Sequence, residues 1–177
     1  PFHYEGTTHE KCYNSADIYS RMYATPEECA RIIKTYPEMP FILCEYTHAM
    51  GNSNGNLKEY WEQIYANNNF QGAFVWDWMD QGLKQPVPDN YKATAGSENF
   101  YAYGGWWETP RGIFHDETFC MNGLIAADWT PHPGLNAIKY HYRNIHVKAL
   151  NLETNTFKIT NWFDFTNAQE LMTGHWE

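Results

Sequence analysis

Glu45 closes a short apolar run, Phe41 to Tyr46 ("FILCEY"). A carboxylate at the end of a buried strand serves as an ion-pair member, a metal ligand, a general base or a nucleophile. Position alone leaves all four open. His48 follows three residues later, before a turn rich in Gly and Asn, Gly51 to Gly55. A lone His is usually a satisfied polar residue, but within a turn of Glu45 it can reach a bound hydroxyl. Tyr23 ends the run "IYSRMY", and Trp76 lies in the run "AFVWDW". Taken singly, both are core candidates. Taken with Glu45, they place a phenol donor and an indole wall beside a carboxylate. The donor keeps the acid charged and oriented, and the indole face suits the apolar face of a sugar ring. That combination is half of a site for glycosidic-bond chemistry. Asp77 and Asp80 are weaker candidates, expected to bond to backbone amides of the loop that follows them.

These side chains depend on the elements that carry them. Ile18 to Tyr23 reads as a strand. Thr25, Pro26 and Glu28 form a helix-start signature, and Cys29, Ile32, Ile33 and Tyr36 make one helical stripe. Phe41 to Tyr46 is an apolar strand of the kind found in covered parallel sheets. Leu57, Tyr60, Trp61, Ile64 and Tyr65 make a second helical stripe, and Ala73 to Trp78 a further strand. Strand, helix, strand, helix, strand predicts a parallel sheet with right-handed crossovers. Doubly wound sheets and (β/α)₈ barrels both fit, and no G-x-G-x-x-G follows a strand, which weakens the dinucleotide option. Polar and aromatic residues gather at strand C-termini, where a barrel carries its active face. Met79 to Thr118 shows no period. A helix follows in "TPHPGLNAIKYHYR", and then "HVKALNLETNTFKITNWFDF" alternates apolar and polar around Asn155, an antiparallel hairpin.

Composition sets the outer bounds. The 177 residues carry a formal charge of −9, which argues against nucleic acid as a partner. Aromatic residues are 18% of the chain; large rings in the core are the plainer explanation and sugar stacking the sharper one. Cys12, Cys29, Cys44 and Cys120 form no C-x-x-C pair, which argues against a zinc knuckle or a redox dithiol. Reduced thiols are expected. No run approaches the ~18 apolar residues of a membrane span. The chain begins at Pro1 and stops in "GHWE", so it reads as a piece of a longer polypeptide.

The blocks "ILCEYTHAMGNS" and "GAFVWDWMDQGL", with "HYEG" before and "FCMNGL" and "DWTPHPGL" after, resemble the large bacterial β-galactosidases of glycoside hydrolase family two. The resemblance runs in order from His3 to about His141. It implies an α/β fold: the C-terminal half of a (β/α)₈ TIM barrel followed by the first strands of a β-sandwich. Residues 1–145 would be the partial barrel, with "HYEG", Ile18 to Tyr23, Phe41 to Tyr46 and Ala73 to Trp78 as strands five to eight. Residues 146–177 would begin the sandwich. Glu45 matches the family nucleophile, Tyr23 the tyrosine that hydrogen-bonds it, His48 a contact to galactosyl hydroxyls, Trp76 the sugar platform and Glu5 the edge of the site. The Phe119 carbonyl and Asn122 match ligands of a Na⁺ ion.

By the same resemblance, the full-length protein is a retaining β-galactosidase and a homo-oligomer. It takes β-galactosides with terminal non-reducing β-D-galactose and also uses Mg²⁺, whose ligands lie outside this chain. The rest of the parent polypeptide is then the obligate partner. A cytoplasmic location is the expectation, with the periplasm as the alternative. The family's acid/base residue belongs to an Asn-Glu pair, and no Asn-Glu dipeptide occurs here. The chain would hold half of a catalytic site and be inactive alone. One departure is "GGWWETPRG", Gly104 to Gly112, where the family has a "GGDFGD" pattern; it bears on the leaving group or the sugar preferred. A non-catalytic carbohydrate-binding or structural remnant of the same fold is the alternative, as is a related β-glycosidase of different sugar specificity.

Overall fold

The computed structural model describes residues 1–7, 15–107 and 119–175. Thr25 is extended, and its hydroxyl accepts from the Glu28 amide at 3.3 Å while the Glu28 carboxylate accepts from the Thr25 amide at 2.8 Å. With Pro26 in the first turn, this reciprocal pair starts α1 (Pro26–Thr35). Thr25→Ala is expected to cost about 1 kcal/mol. The measurement is a urea unfolding midpoint that falls while the slope stays constant. α2 (Leu57–Ala66) lacks a side-chain cap; its start at Asn56 is left-handed, with φ 58°. Packing holds it instead. The Tyr60 hydroxyl donates to the Ala24 carbonyl at 2.9 Å, and the Gln63 amide donates to the Pro26 carbonyl at 3.0 Å.

Three parallel strands lie beside these helices: β1 (Tyr19–Met22), β2 (Phe41–Tyr46) and β3 (Phe70–Val75), in the order β1-β2-β3. Phe41, Leu43 and Phe70 are fully buried. The rings of Phe41 and Phe70 stack at 4.7 Å between centroids, and Tyr19 meets Phe41 edge-on at 5.9 Å. Burying each such side chain contributes roughly 1.5–3 kcal/mol. The sequence expectation of a parallel βα sheet therefore holds for this middle region. Among the described residues the sheet is open and does not close into a barrel.

Three sequence expectations need correction. "HYEG" is not a strand: Glu5–Thr7 is a 3-10 turn. The Phe2 amide donates to the Asp17 carboxylate at 2.6 Å, and the Asp17 amide donates to the Phe2 carbonyl at 2.8 Å. These two bonds fix the segment ahead of β1 and leave Tyr4 to Gly6 to turn rather than extend beside it. The third strand starts earlier than Ala73 because Phe70 is drawn into register with Phe41, which leaves Trp76 just beyond it. The aperiodic stretch after Met79 contains an antiparallel pair, β4 (Leu83–Pro86) and β5 (Asn99–Ala102), enclosing the short α3 (Lys92–Ala95). Pro86 sits at the end of its strand, where its missing N–H is tolerated.

The chain divides into two compact units, Pro1–Ile138 and Lys139–Glu177. The division falls within α4 (Pro133–His141), ahead of the strand at which the hydrophobic period changes. In the second unit β6 (Ile145–Asn151) pairs antiparallel with β7 (Thr156–Asn161), and Asn155 takes the positive φ, 51°, that the turn requires. A short α5 (Ala168–Leu171) follows, capped by the Asn167 side chain. Val147 lies opposite Ile159 and Ala149 opposite Phe157, so one face of the hairpin is apolar, as the alternation predicts.

Candidate active site

A bulge in β2 sets the orientation of Glu45. Arg21 pairs with Leu43 but Met22 with Glu45, and on the other side Ala73 pairs with Leu43 while Val75 pairs with Tyr46. Without the extra residue, Glu45 would share the buried face of Phe41 and Leu43. With it, Tyr46 takes the buried place, and Glu45 stands half-buried at the strand end. The Tyr46 hydroxyl accepts from Trp61 Nε1 at 3.2 Å, which anchors this switch of faces on α2.

Tyr23 follows β1 in a left-handed conformation, φ 50°, which non-glycine residues seldom adopt. Its amide donates to the Glu45 carbonyl at 2.8 Å, and its phenol feels the Glu45 carboxylate. The ring is 41% exposed. Partial burial, then the neighbouring Glu45 carboxylate, then the charge of Asp77, push the phenol well above its usual value. A raised phenol pKa means the neutral donor is favoured in the fold. Its stabilising effect is complete below about pH 10 and lost as pH rises beyond. Subtracting the phenolate absorbance titration of Tyr23→Phe from that of the unaltered chain should give a midpoint well above the ordinary ~10. A difference curve centred at the ordinary value would contradict the Glu45 contact.

Thr47, with φ 44°, makes a second left-handed step at the end of β2. Its hydroxyl donates to the Gly55 carbonyl at 3.2 Å, and Asn54 Nδ2 donates to the Thr47 carbonyl at 2.8 Å. These bonds hold the loop that presents His48. The His48 ring lies 6.0 Å from the Tyr23 ring and 5.1 Å from the Phe119 ring. The Met50 amide donates to His48 Nδ1 at 3.4 Å, so the neutral ring carries its proton on Nε2. Trp76 is fixed by two backbone bonds: its amide donates to the Tyr46 carbonyl at 3.3 Å, and its carbonyl accepts from the Ala49 amide at 2.8 Å. The Trp76–Asp77 peptide is cis. The Asp77 amide then donates to the Asn122 carbonyl at 2.9 Å, which brings the Asn122 loop to the same rim.

Tyr23, Glu45, His48, Trp76, Phe119 and Asn122 thus gather around the strand ends. Glu5 is exposed on its turn. Its charge acts on Cys44, whose thiol is pushed up first by burial and then by Glu5 and Glu45, against a hydrogen bond from Ser20 that lowers it. That thiol stays protonated at neutral pH. Cys29, Cys44 and Cys120 are free. Cys12 and the Glu108 to Gly112 part of "GGWWETPRG" lie outside the described residues. Trp106 packs edge-on against Phe100 at 4.7 Å.

Among the described residues, six buried side-chain polar atoms lack a protein partner, and four belong to this rim: His48 Nε2, Trp76 Nε1, Asp77 Oδ1 and Asn122 Oδ1. Unpaired buried polar atoms are costly and few in native proteins, so their concentration marks a place built for polar ligands. No group of three or more His, Cys, Asp or Glu side chains suited to a metal occurs among the described residues. Asn122 and a backbone carbonyl offer oxygen only, a donor set for a hard cation.

Residues 1–147 match the family model described as glycosyl hydrolases family 2, TIM barrel domain. The chain belongs to this family. It is 40% identical over 166 residues to a beta-galactosidase of Priestia megaterium, a match covering 93% of this chain and 15% of that protein. It is 38% identical over 176 residues to a beta-galactosidase of Kluyveromyces lactis, covering 96% of this chain and 16% of the relative. The chain therefore spans about one-sixth of the length of these curated relatives. A solved GH2 beta-galacturonidase of Eisenbergiella tayi, bound to galacturonate, aligns with a TM-score of 0.42 at 10% identity, over 76% of this chain and 25% of that one.

Within this glycosyl hydrolase family 2 segment, sequence reasoning named Asp80 only as a weaker candidate expected to bond backbone amides, and the structure gives it one such amide and a distant His besides. Asp80, only 7% exposed, accepts from the Gly123 amide through Oδ1 at 2.8 Å and pairs with His132 Nε2 through Oδ2 at 2.9 Å. Asp80 and His132 are 52 positions apart. No local pattern signals such a pair.

Proposed function

We propose that the full-length protein containing this chain is a retaining β-galactosidase and that Glu45 is its nucleophile. The observation that supports this most is the bulge that turns the Glu45 carboxylate out at the rim of a parallel sheet, beside Tyr23, whose amide holds the Glu45 carbonyl at 2.8 Å. The beta-galactosidases among the relatives supply the sugar. A Glu45 oxygen attacks the anomeric carbon, the bond from that carbon to the leaving oxygen breaks, and the electron pair stays with the leaving oxygen. A second carboxyl protonates it. In retaining enzymes that group lies about 5–5.5 Å from the nucleophile, and here it would come from elsewhere in the parent polypeptide. The second carboxyl, now ionised, takes a proton from water as that water attacks the same carbon; the bond from the carbon to the Glu45 oxygen breaks, releasing galactose and the Glu45 carboxylate.

Tyr23 remains a neutral donor throughout and holds Glu45 in its ionised, attacking orientation. His48 Nε2–H donates to a sugar hydroxyl, and Trp76 supplies the apolar wall. Asn122 Oδ1, buried and without a protein partner, fits a Na⁺ ligand together with the Phe119 carbonyl. Such an ion, when bound, offers positive charge to a sugar hydroxyl oxygen. Glu5 marks the outer edge of the site. Mg²⁺ would be held by parent residues outside this chain, and the parent is proposed to assemble as a homo-oligomer.

The test compares the full-length protein with the isolated chain on an aryl β-galactoside. The full-length protein should hydrolyse it and the isolated chain should not. Hydrolysis by the isolated chain that disappears in Glu45→Gln would refute the claim that a second carboxyl is needed from outside. A full-length protein that binds the galactoside without cleaving it would favour the carbohydrate-binding remnant.

A further inference from the structure

Asp80 grips the loop that carries Asn122, one of the candidate site residues. The Asn122–Gly123 peptide is held on both sides. Its oxygen accepts from the Asp77 amide at 2.9 Å, and its N–H donates to Asp80 Oδ1 at 2.8 Å. Fixing that peptide plane fixes the backbone angle that aims the Asn122 side chain. Asn122 is 1% exposed, and its Oδ1 has no protein partner. Gly123 lies flush on the same backbone: a Cβ there would stand 2.2 Å from the Asp80 nitrogen and 2.3 Å from the Met79 carbonyl carbon. The other carboxylate oxygen of Asp80 is held by His132, which sits just before α4 and whose amide donates to the Leu124 carbonyl at 3.0 Å. One buried acid therefore links the loop after β3, the Asn122 loop and the start of α4.

We propose that Asp80 is a positioning residue for the site. Its carboxylate, steadied by His132, sets the direction of Asn122 Oδ1 and so the affinity for the cation that Asn122 would hold. This rests on the β-galactosidase reading above and on Asn122 as an oxygen ligand for Na⁺. The chemistry separates the variants. Asp80→Asn keeps both bonds: Oδ1 accepts from the Gly123 amide, and Nδ2 donates to an unprotonated Nε2 of His132. Asp80→Ala keeps neither. His132→Ala leaves the Gly123 bond but frees the carboxylate to turn.

The experiment titrates Na⁺ into the full-length protein and its variants, reading ²³Na NMR line width, alongside kcat and KM for an aryl β-galactoside. Asp80→Ala should weaken Na⁺ binding about tenfold or more, the usual consequence of removing a group that orients a ligand. KM should rise more than kcat falls. Asp80→Asn should stay within about threefold of the unaltered protein, since its hydrogen bonds persist. His132→Ala should move in the same direction as Asp80→Ala by less, and it decides the matter if Asp80→Ala does not fold. Unchanged Na⁺ binding in Asp80→Ala, or in His132→Ala where that variant decides, overturns the proposal, because a purely structural role would change only the yield of folded protein. Unaltered protein whose Na⁺ broadening does not depend on Asn122 removes the cation reading and the proposal with it. Unaltered protein that binds Na⁺ through Asn122 but cleaves no galactoside removes the enzymatic reading alone.

Discussion

Glu45→Gln in the full-length protein is expected to lower kcat for an aryl β-galactoside by about 10⁴-fold or more, as loss of a covalent nucleophile does. Gln matches Glu in shape and can still accept from a neighbouring phenol, so the half-buried strand end keeps its packing and KM should change little. What disappears is the oxygen able to bond the anomeric carbon. The size of the loss separates this role from the others open to a carboxylate at this position. A general base contributes typically about 10²–10⁴-fold, and an ion-pair member would show itself in stability instead. Azide sharpens the distinction. In Glu45→Ala, azide entering the space left by the carboxylate attacks from the same face and yields the α-galactosyl azide. A β-galactosyl azide would assign Glu45 the role of acid/base and overturn its role as nucleophile.

The second large effect is expected at Gly123. Gly123→Ala places a methyl 2.2 Å from a backbone nitrogen, against main chain that has no flexible end to swing aside. The loop must lift from Met79 and Asp80. Overpacking of this kind costs typically about 1–3 kcal/mol, and the lift also breaks the bond from the Gly123 amide to the buried Asp80. That leaves a desolvated carboxylate oxygen unpaired, at a further cost of about 1–3 kcal/mol. The unfolding midpoint should fall accordingly, and any folded fraction should show a raised KM. A variant as stable as the original would contradict the close approach of the two segments.

The contrast between these two residues shows where sequence reasoning succeeded. Glu45, Tyr23 and Trp76 were legible because each ends or follows an apolar run, and parallel βα units deliver strand ends to one rim. α1 was legible because its signals are local: Thr25, Pro26 and Glu28 act within a single turn. The bulge in β2 was not legible. Nothing in "FILCEY" says that Tyr46 and not Glu45 takes the buried face; the neighbours Met22 and Val75 decide it through the ladder. The β4–β5 pair was missed because its strands are four residues each and too short to show a period. "HYEG" resembled a strand by its family block, but the residue before it, Phe2, is bonded to Asp17, and Glu5 opens a 3-10 turn whose carbonyl accepts from Ser20, which no local pattern foretells. Asp80 looked like a minor polar residue because its partners, Gly123 and His132, are distant in sequence.

The most direct test of the central claim is a mass measurement. The full-length protein, incubated with a 2-deoxy-2-fluoro-β-galactoside bearing a good leaving group, should form a glycosyl-enzyme stable enough to digest with protease. The account predicts that the added 2-deoxy-2-fluorogalactosyl mass lies on the peptide containing "ILCEYTHAM", at Glu45. The same mass on any other carboxylate, or turnover with no trapped sugar, would contradict it.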